Sequence, residues 1–264
     1  MRIIFSESNP DYKNYTFPYA VWAIPESQEE IVELYDRGFL PSRKPRFYLT
    51  RSTRITLKRF ELTYRARRTL KACQDIEMTL INISDFVIDK SIRELCLQYA
   101  EQRFGEGVIN EQRLNRIINP ENATHIMHFT RKEKTVGLVT INTAPKIAHY
   151  NFAFYDITEP KKSLGTFMLT ATINYFHNRD CNYLYMGTCY GKKFLYKAHF
   201  EGFEFFNGAQ WSSDMNELSF LMERPHQPNH LFESSDYLNT FHPITLDIDV
   251  HETGFRYITQ AHSA

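Results

Sequence analysis

Three strand-like segments follow one another between residues 124 and 155, and they limit the possible folds more than any other feature of the chain. They are Thr124–Thr130, Thr135–Asn142 and Ala148–Tyr155, and short turn signals separate them. Strands spaced so closely predict an antiparallel meander. The next segment, Ser163–Asn178, carries apolar residues at helical spacing and predicts a long helix directly after the meander.

Shorter segments on both sides complete an α+β pattern. Ser27 and Glu30 have the spacing of a capping box, which predicts a helix over residues 28–36. The other predicted elements are a basic hairpin at Phe47–Phe60, strands at Arg2–Phe5, Pro18–Ile24, Glu77–Ile83, Tyr183–Met186, Phe203–Phe206 and Leu218–Met222, and helices at Asp89–Arg103, Glu111–Ile118 and Phe194–Phe200. For 264 residues, this order predicts a smaller N-terminal α+β domain over residues 1–86, a mixed sheet flanked by helices over 87–222, and a C-terminal extension over 223–264.

Positive charge is concentrated in one part of the chain. The 31 basic and 31 acidic residues cancel overall, but Arg43–Lys71 contains 11 basic residues and one acid. Aromatic residues such as Phe47, Tyr48 and Tyr64 alternate with these cations. Ordered cations beside aromatic rings suit phosphates and unpaired bases, so contact with nucleic acid is favoured over the alternative of a solvated charged face.

Hydropathy and cysteine usage indicate a cytoplasmic protein. Near the start of the chain the longest apolar stretch is Tyr19–Ile24, well short of a membrane span, and Met1–Pro10 lacks the apolar region of a signal peptide. The four cysteines lie far apart without zinc-site spacing, so free thiols and no metal site are predicted, and a secreted disulfide framework is the alternative.

Several motifs in the second half of the chain point to a known family. They are Tyr155-Asp156, Ser163-Leu164-Gly165, the strand Tyr183–Gly187, and Tyr196-Lys197 with Phe200 and Trp211 downstream. In order and spacing this set resembles the C-terminal half of the arginyl-tRNA–protein transferases of the N-degron pathway. Gly38-Phe39 and Arg67–Lys71 are similar to the N-terminal pattern of that family, so the resemblance covers about residues 18–222.

The resemblance implies an acetyltransferase-like (GNAT) mixed sheet and transfer of an amino acid, arginine or a leucine-like residue, from aminoacyl-tRNA to the N-terminal α-amine of a protein or peptide. A monomer without a cofactor is expected, because an aminoacyl ester is already activated. The family's N-terminal domain carries a cysteine cluster for a metal or iron–sulfur centre. Arg46–Thr56 contains no cysteine, so no such centre is expected here.

Site residues follow from the same resemblance. The expected catalytic residues are Asp156, which would hold or deprotonate the acceptor amine, and Tyr185, Tyr196 and Lys197 as cleft walls or proton partners. The residues expected to bind the substrate are Ser163, Leu164, Gly165, Gly187 and Trp211. Those expected to bind tRNA are Arg51, Arg54, Arg65, Arg67, Arg68, Lys71, Lys161 and Lys162.

Simpler roles and other functions stay open at this point. Asp156 would also suit a turn cap, Tyr185 and Tyr196 would suit packing, and Arg65 with its neighbours would suit a solvated strand edge. Because Lys161–Gly165 opens a helix that could receive a pyrophosphate, an acyl-CoA-dependent N-acyltransferase is one alternative function. A non-catalytic tRNA-binding module is the other.

Overall fold

The computed structural model describes residues 1–7, 13, 19–42, 45–159, 164–224 and 235–241. The chain forms two compact units, one of Met1–Phe5 with Val21–Ser213 and the other of Ser6–Ala20 with Asp214–Ala264. These units have bounds that differ from the three predicted domains, whose ranges stay a prediction. In the described part of the chain, every helix is too short or too polar to cross a bilayer.

Twelve strands and seven α-helices are described, together with three 3-10 helices. The strands are β1 (Arg2–Glu7), β2 (Tyr19–Ile24), β3 (Phe39–Pro41), β4 (Phe47–Leu49), β5 (Ser52–Thr56), β6 (Glu77–Asn82), β7 (His125–Arg131), β8 (Lys134–Ala144), β9 (Ile147–Tyr155), β10 (Tyr183–Thr188), β11 (Phe203–Phe206) and β12 (Trp211–Ser212). The helices are α1 (Gln28–Asp36), α2 (Tyr64–Ala72), α3 (Lys90–Phe104), α4 (Glu111–Ile117), α5 (Leu164–His177), α6 (Met215–Glu223) and α7 (Ser235–Phe241). The 3-10 helices are Leu57–Arg59, Ile83–Asp85 and Lys192–His199.

An eight-stranded mixed sheet in the order β12-β11-β5-β10-β9-β8-β7-β6 forms the centre of the fold. The predicted meander is confirmed, since β7, β8 and β9 pair as antiparallel neighbours. The long helix is confirmed as α5, which connects β9 to β10, and these two strands are parallel. A parallel pair needs such a crossover, which explains why the chain leaves the sheet after residue 155.

Helices cover both faces of the meander. On one face, α3 and α4 bury Cys96, Ala100 and Leu114 against Leu138 of β8. The preceding residue, Gly137, points to the other face, where a Cβ atom would lie 2.7 Å from the Met168 sulfur of α5. Glycine at this position therefore lets α5 pack closely on the sheet.

A smaller sheet in the order β1-β2-β4-β3 lies in the N-terminal part of the chain. The helix predicted over 28–36 is confirmed as α1, and the Ser27 hydroxyl accepts a hydrogen bond from the Glu30 backbone N–H. Leu34 and Tyr35 of α1 pack with Phe47 of β4 and with Ile147 and Tyr185 of the large sheet in one buried cluster.

The predicted hairpin at Phe47–Phe60 is wrong. Its two halves belong to different sheets, because β4 pairs with β2 and β3 whereas β5 pairs with β10 and β11. No hairpin turn connects β4 to β5. The intervening Thr50 and Arg51 instead carry the chain from one sheet to the other. Alternation along a sequence reveals strands but does not identify their partners.

Two other segments are helices where strands were expected. Residues 64–72 form α2, with the Thr63 hydroxyl accepting from the Ala66 N–H as the N-cap, so the strand-edge alternative for Arg65 is wrong. Leu218–Met222 lies in α6, which Asp214 caps through the Asn216 and Glu217 N–H groups. In both segments a capping residue and good helix formers prevail over a short apolar alternation.

Candidate active site

The parallel strands β9 and β10 pair along only part of their length. Their register joins Tyr183–Tyr185 to Ile147–His149, after which β9 continues to Tyr155 and β10 to Thr188. A cavity of about 320 Å³ lies between these continuing segments. The candidate cleft therefore forms where a parallel pair of strands stops pairing.

A β-bulge in β9 shapes one wall of this cleft. Across the β8–β9 pair, Val139 is opposite Ala153 and Ile141 is opposite Tyr150, so β9 contains one extra residue. The Phe152 N–H inside the bulge donates to the Thr140 hydroxyl at 3.1 Å. A bulge of this kind bends the strand and redirects its side chains.

Seven of the seventeen residues that line the cleft are phenylalanine or tyrosine. The residues that line it are Leu40, Pro41, Tyr48, Tyr99, Phe104, His149, Tyr150, Asn151, Phe152, Ala153, Leu169, Met186, Gly187, Thr188, Phe194, Tyr196 and Lys197. Among these described residues there is no carboxylate, and Lys197 carries the positive charge. An apolar group can be enclosed here with one cation beside it.

Lys197 is held by the backbone of β10. Its side-chain nitrogen donates to the carbonyl oxygens of Met186 at 2.5 Å and Thr188 at 3.1 Å, and the residue is 7% exposed. Gly187, between these two carbonyls, has a φ of +75°, a conformation that favours glycine. Burial lowers the pKa of Lys197 to about 8. Because an ammonium has three N–H donors, one remains for a molecule in the cleft.

His149 also lines the cleft, although no sequence motif marks it. It is 2% exposed, and its Nδ1 atom lies 3.1 Å from the hydroxyl oxygen of Tyr35. Burial, reinforced by the charge of Lys197, lowers the pKa of His149 to about 3. The only signal in the sequence is a histidine within a strand whose preceding residues, Ile147 and Ala148, are apolar.

Of the expected catalytic and substrate-binding residues, three meet in this cleft: Gly187, Tyr196 and Lys197. Tyr185 and Trp211 instead pack together behind it, with ring centres 5.7 Å apart, and Tyr185 is fully buried. The indole N–H of Trp211 donates to the Asp36 carbonyl. Both rings belong to the buried aromatic cluster, and the roles expected for Tyr185 in catalysis and for Trp211 in substrate binding stay predictions.

Asp156 follows β9 and stabilises a turn. Its carboxylate accepts hydrogen bonds from the Thr158 N–H and hydroxyl and from Lys134, and it does not line the cleft. Although partial burial opposes ionisation, these hydrogen bonds hold the pKa of Asp156 below its ordinary value. A carboxylate with these partners and a lowered pKa is a poor proton acceptor, and the expected role of Asp156 at the acceptor amine stays a prediction.

The loop before α5 lies mostly outside the described residues, which applies to Lys161, Lys162 and Ser163. Leu164 is buried at the start of α5. A Cβ atom on Gly165 would lie 2.9 Å from the Tyr155 ring, so this glycine allows the helix to approach β9 closely. Leu164 and Gly165 thus contribute to packing beside the cleft rather than to its lining.

The cations expected to bind tRNA divide into two groups. Arg65, Arg67, Arg68 and Lys71 lie exposed on α2. Arg54 is buried in β5, where its guanidinium pairs with Glu204 at 2.8 Å and Asp36 at 2.9 Å. These contacts give Arg54 a role inside the fold, and its expected contact with tRNA stays a prediction. Arg51 lies over the Tyr190 ring at 5.2 Å.

A second groove of about 680 Å³ adjoins the cleft and shares Pro41, Tyr48, Asn151 and Phe152 with it. Trp22 and Tyr48 lie in this groove with ring centres 5.9 Å apart. Arg113 and Arg116 of α4 add two exposed cations. Aromatic rings beside cations are the arrangement that binds single-stranded nucleic acid without regard to sequence.

No group of three or more potential metal ligands occurs among the residues that the structure describes. The four cysteines are free, and Cys73, Cys96 and Cys189 are buried.

The described residues form an α+β fold, in which helices flank a mixed sheet that opens between two parallel strands, and this agrees with the expected acetyltransferase-like (GNAT) sheet. Residues 84–207 match the family described as arginine-tRNA-protein transferase, C terminus. A related protein is the aspartate/glutamate leucyltransferase of Saccharophagus degradans, which is 23% identical over 167 residues that cover 60% of this chain and 69% of the relative.

Solved structures show more distant likeness. The C-terminal domain of a putative lysylphosphatidylglycerol synthetase from Agrobacterium fabrum is 13% identical, with a TM-score of 0.41 over 53% of this chain and 46% of that one. L-PGS from Bacillus licheniformis is also 13% identical, with a TM-score of 0.39 over 65% of this chain and 55% of that one. The chain thus spans about half the length of these two proteins.

Proposed function

We propose that this protein transfers an amino acid from an aminoacyl-tRNA to the N-terminal α-amine of a protein or peptide. The observation that carries the proposal is the buried, carbonyl-bound Lys197 in the cleft between β9 and β10, in a chain whose residues 84–207 match the transferase family. The amine nitrogen attacks the ester carbonyl carbon and forms the new C–N bond. The C–O bond to the terminal ribose breaks, and the ribose hydroxyl keeps the proton that the amine loses.

Lys197 supplies positive charge where the reaction develops negative charge. With a pKa of about 8 it is mostly protonated at neutral pH, and its third N–H can donate to the carbonyl oxygen of the ester. Donors that are already positioned in a water-poor cleft stabilise the tetrahedral intermediate without reorganising during the reaction. Tyr196 forms part of the wall beside Lys197.

The acceptor amine requires little help to become a nucleophile. An N-terminal amine has an ordinary pKa of about 7.7 to 8, so a useful fraction is neutral near physiological pH. The main contribution of the cleft is then to hold the amine and the ester in reacting geometry, an effect worth several kcal/mol of the barrier. This removes the need for Asp156 as a base.

The lining of the cleft favours leucine over arginine as the transferred amino acid. Tyr99, Phe152 and Leu169 offer an apolar surface, and none of the described lining residues is acidic. An enclosed guanidinium would lie near Lys197 without a carboxylate to pair with it, which is costly. The leucyltransferase named in the comparison with Saccharophagus degradans agrees with this preference, and its name makes an acidic N-terminal residue the first acceptor to test.

The tRNA has two candidate contact surfaces on this chain. The exposed cations of α2 suit the phosphates of the acceptor stem, and the groove with Trp22 and Tyr48 suits the unpaired bases of the 3′ end because it adjoins the cleft. Because charged tRNA is made there, the cytoplasm is the proposed compartment.

The deciding experiment mixes the protein with charged tRNA and peptides that differ in their N-terminal residue. We expect mass spectrometry to detect peptides extended by leucine, with acidic N-termini preferred, and the Lys197→Met variant to lose most of this product. Binding of tRNA without any extended peptide would indicate the non-catalytic module instead. Extension from an acyl-CoA, with tight coenzyme A binding in calorimetry, would indicate the N-acyltransferase.

A further inference from the structure

His149 has a ring nitrogen without a hydrogen-bond partner. Its Nε2 atom is buried and unpaired among the described residues, although Nδ1 is bound by Tyr35. Buried polar atoms are nearly always satisfied, so each exception calls for an explanation. His149 lines the cleft and Tyr35 occupies its Nδ1 atom, so Nε2 is the ring nitrogen left to bind a molecule in the cleft.

The contact with Tyr35 indicates which nitrogen carries the proton. Burial raises the pKa of Tyr35 far above its ordinary value, so the hydroxyl keeps its hydrogen. His149 Nδ1 is its hydrogen-bond partner in the described part of the chain, at 3.1 Å. A buried hydroxyl with one partner donates to it, which leaves Nδ1 as the acceptor and places the imidazole proton on Nε2.

This tautomer puts two donors beside the same cleft. Lys197 and His149 both line it, one from the 3-10 helix after β10 and the other from β9. The Lys197 charge adds to the lowering of the His149 pKa that burial causes. Lys197 retains one N–H beyond its two carbonyl partners, and His149 retains its Nε2–H.

We propose that His149 is a catalytic residue of this reaction and donates its Nε2–H to the carbonyl oxygen of the aminoacyl ester as that oxygen becomes an oxyanion. The proposal rests on the proposed function and adds to it a donor that the family motifs did not mark. His149 stays neutral throughout, because its proton remains bonded to Nε2 while it donates the hydrogen bond. The hydrogen bond weakens again when the oxyanion collapses to the amide. Tyr35 is a positioning residue, because it fixes the tautomer of His149.

Two substitutions of His149 test the donor. His149→Phe keeps a planar ring but removes the N–H, whereas His149→Gln offers an amide N–H at a similar distance from the backbone. In single-turnover assays with saturating tRNA and peptide, we expect H149F to slow transfer by about 10²- to 10³-fold with unchanged tRNA affinity. We expect H149Q to recover at least about tenfold of that loss.

The protonation state gives a readout that does not depend on activity. In nitrogen-15 NMR spectra of the full chain, His149 is expected to carry its proton on Nε2 between about pH 5 and 9. In Tyr35→Phe the Nδ1 atom loses its donor, so both tautomers should appear and transfer should slow by about tenfold.

Three results would overturn the role of His149. One is transfer by H149F at the parent rate, and a second is a proton on Nδ1, or on both nitrogens, in the parent spectrum. In each of these cases active parent protein leaves the proposed function standing. If the parent extends no peptide from any charged tRNA, the proposed function fails as well, and the role of His149 fails with it.

Discussion

At the scale of single residues, Gly187 decides where Lys197 lies. Its positive φ lets the carbonyl groups on both sides, those of Met186 and Thr188, accept from the same ammonium. A Cβ atom here would lie 3.8 Å from the Lys197 nitrogen, so the space is open and the obstacle is backbone strain. Glycine is therefore needed at position 187 for its positive φ, and not because a side chain there would collide with Lys197.

The pKa of Lys197 predicts the alkaline limit of the reaction. Below about pH 8 the ammonium is charged and donates, and above it the charge is lost, so the rate should fall as the pH rises through about 8. The acceptor amine gives the opposite, rising limb as it loses its proton. Single-turnover rates between about pH 6 and 9.5 should thus pass through a maximum near pH 8.

Lys197→Arg is the control for this profile. A guanidinium keeps its charge over the whole range, so the alkaline limb should disappear even if the different shape of arginine lowers the rate. Lys197→Met should lose about 10²- to 10³-fold at every pH because no donor remains. Persistence of the alkaline limb in K197R would assign it to another group.

Asp156→Asn should alter stability more than transfer. The carboxylate accepts from Thr158 and Lys134, and its pKa is lowered, so it stabilises the fold above its unfolded pKa and loses this effect as the pH falls through the folded pKa. We expect a loss of about 1 kcal/mol in urea unfolding at pH 7 that shrinks under acid conditions. The transfer rate should change by less than about threefold, whereas loss of a catalytic base costs at least about 10²-fold; a drop of that size would restore Asp156 to the mechanism.

At the scale of elements, α2 gives a test of tRNA binding. Reversing Arg65 and Arg68 to glutamate removes two cations from its exposed face without touching the Thr63 cap. If both contact phosphates, a plot of log affinity against log salt should become less steep by about 2, and binding at about 0.1 M salt should weaken at least tenfold. Fluorescence anisotropy with labelled tRNA at several salt concentrations measures both quantities.

A second pair of charge reversals, away from α2, distinguishes a local contact with tRNA from an effect of the net charge of the protein. Lys90 and Lys146 are exposed, and in the described part of the chain they pair with the exposed carboxylates of Glu94 and Asp180. Reversing these two lysines changes the total charge by the same amount, yet it should leave the salt dependence close to that of the parent. Equal effects of the two double variants would show that α2 acts through net charge alone.

The helices and strands differ in how far the sequence could predict them. The meander and α5 were predictable because their periodicity and turns are local. The pairing of β5 with β10 and β11 was not, because it joins residues more than 120 positions apart. Lys197 could be predicted as a site residue because it lies in a family motif. His149 could not, because its role depends on the fold, which brings Tyr35 and the cleft to either side of its ring.

At the scale of the whole molecule, Arg54 joins three parts of the larger unit. From β5 its guanidinium reaches Asp36 at the end of α1 and Glu204 in β11, and it stacks on the Tyr183 and Trp211 rings at 4.0 Å. Glu204 is itself largely buried. Removal of the arginine would leave that carboxylate without its main partner, which is expensive inside a protein.

Arg54→Met is therefore expected to lower the free energy of unfolding by about 3 to 5 kcal/mol. Arg59→Ala is the control, because Arg59 binds the same Glu204 from an exposed position, and it should cost less than about 1 kcal/mol. Urea denaturation followed by circular dichroism measures both variants. Similar midpoints for R54M and R59A would mean that the buried pair contributes no more than the exposed one.

The central position of β5 also affects how the polypeptide is made. Both neighbours of this strand, β10 and β11, are encoded roughly 130 to 150 residues downstream, so at translation rates of about 5 to 20 residues per second Ser52–Thr56 waits for on the order of ten seconds after it leaves the ribosome. During that interval the backbone groups of β5 lack their native hydrogen-bond partners in β10 and β11, and Arg54 lacks its ion-pair partner Glu204. A charged side chain in the middle of a nascent strand opposes premature pairing with other chains. We therefore expect Arg54, which stabilises the finished sheet, also to reduce aggregation of the nascent chain through β5.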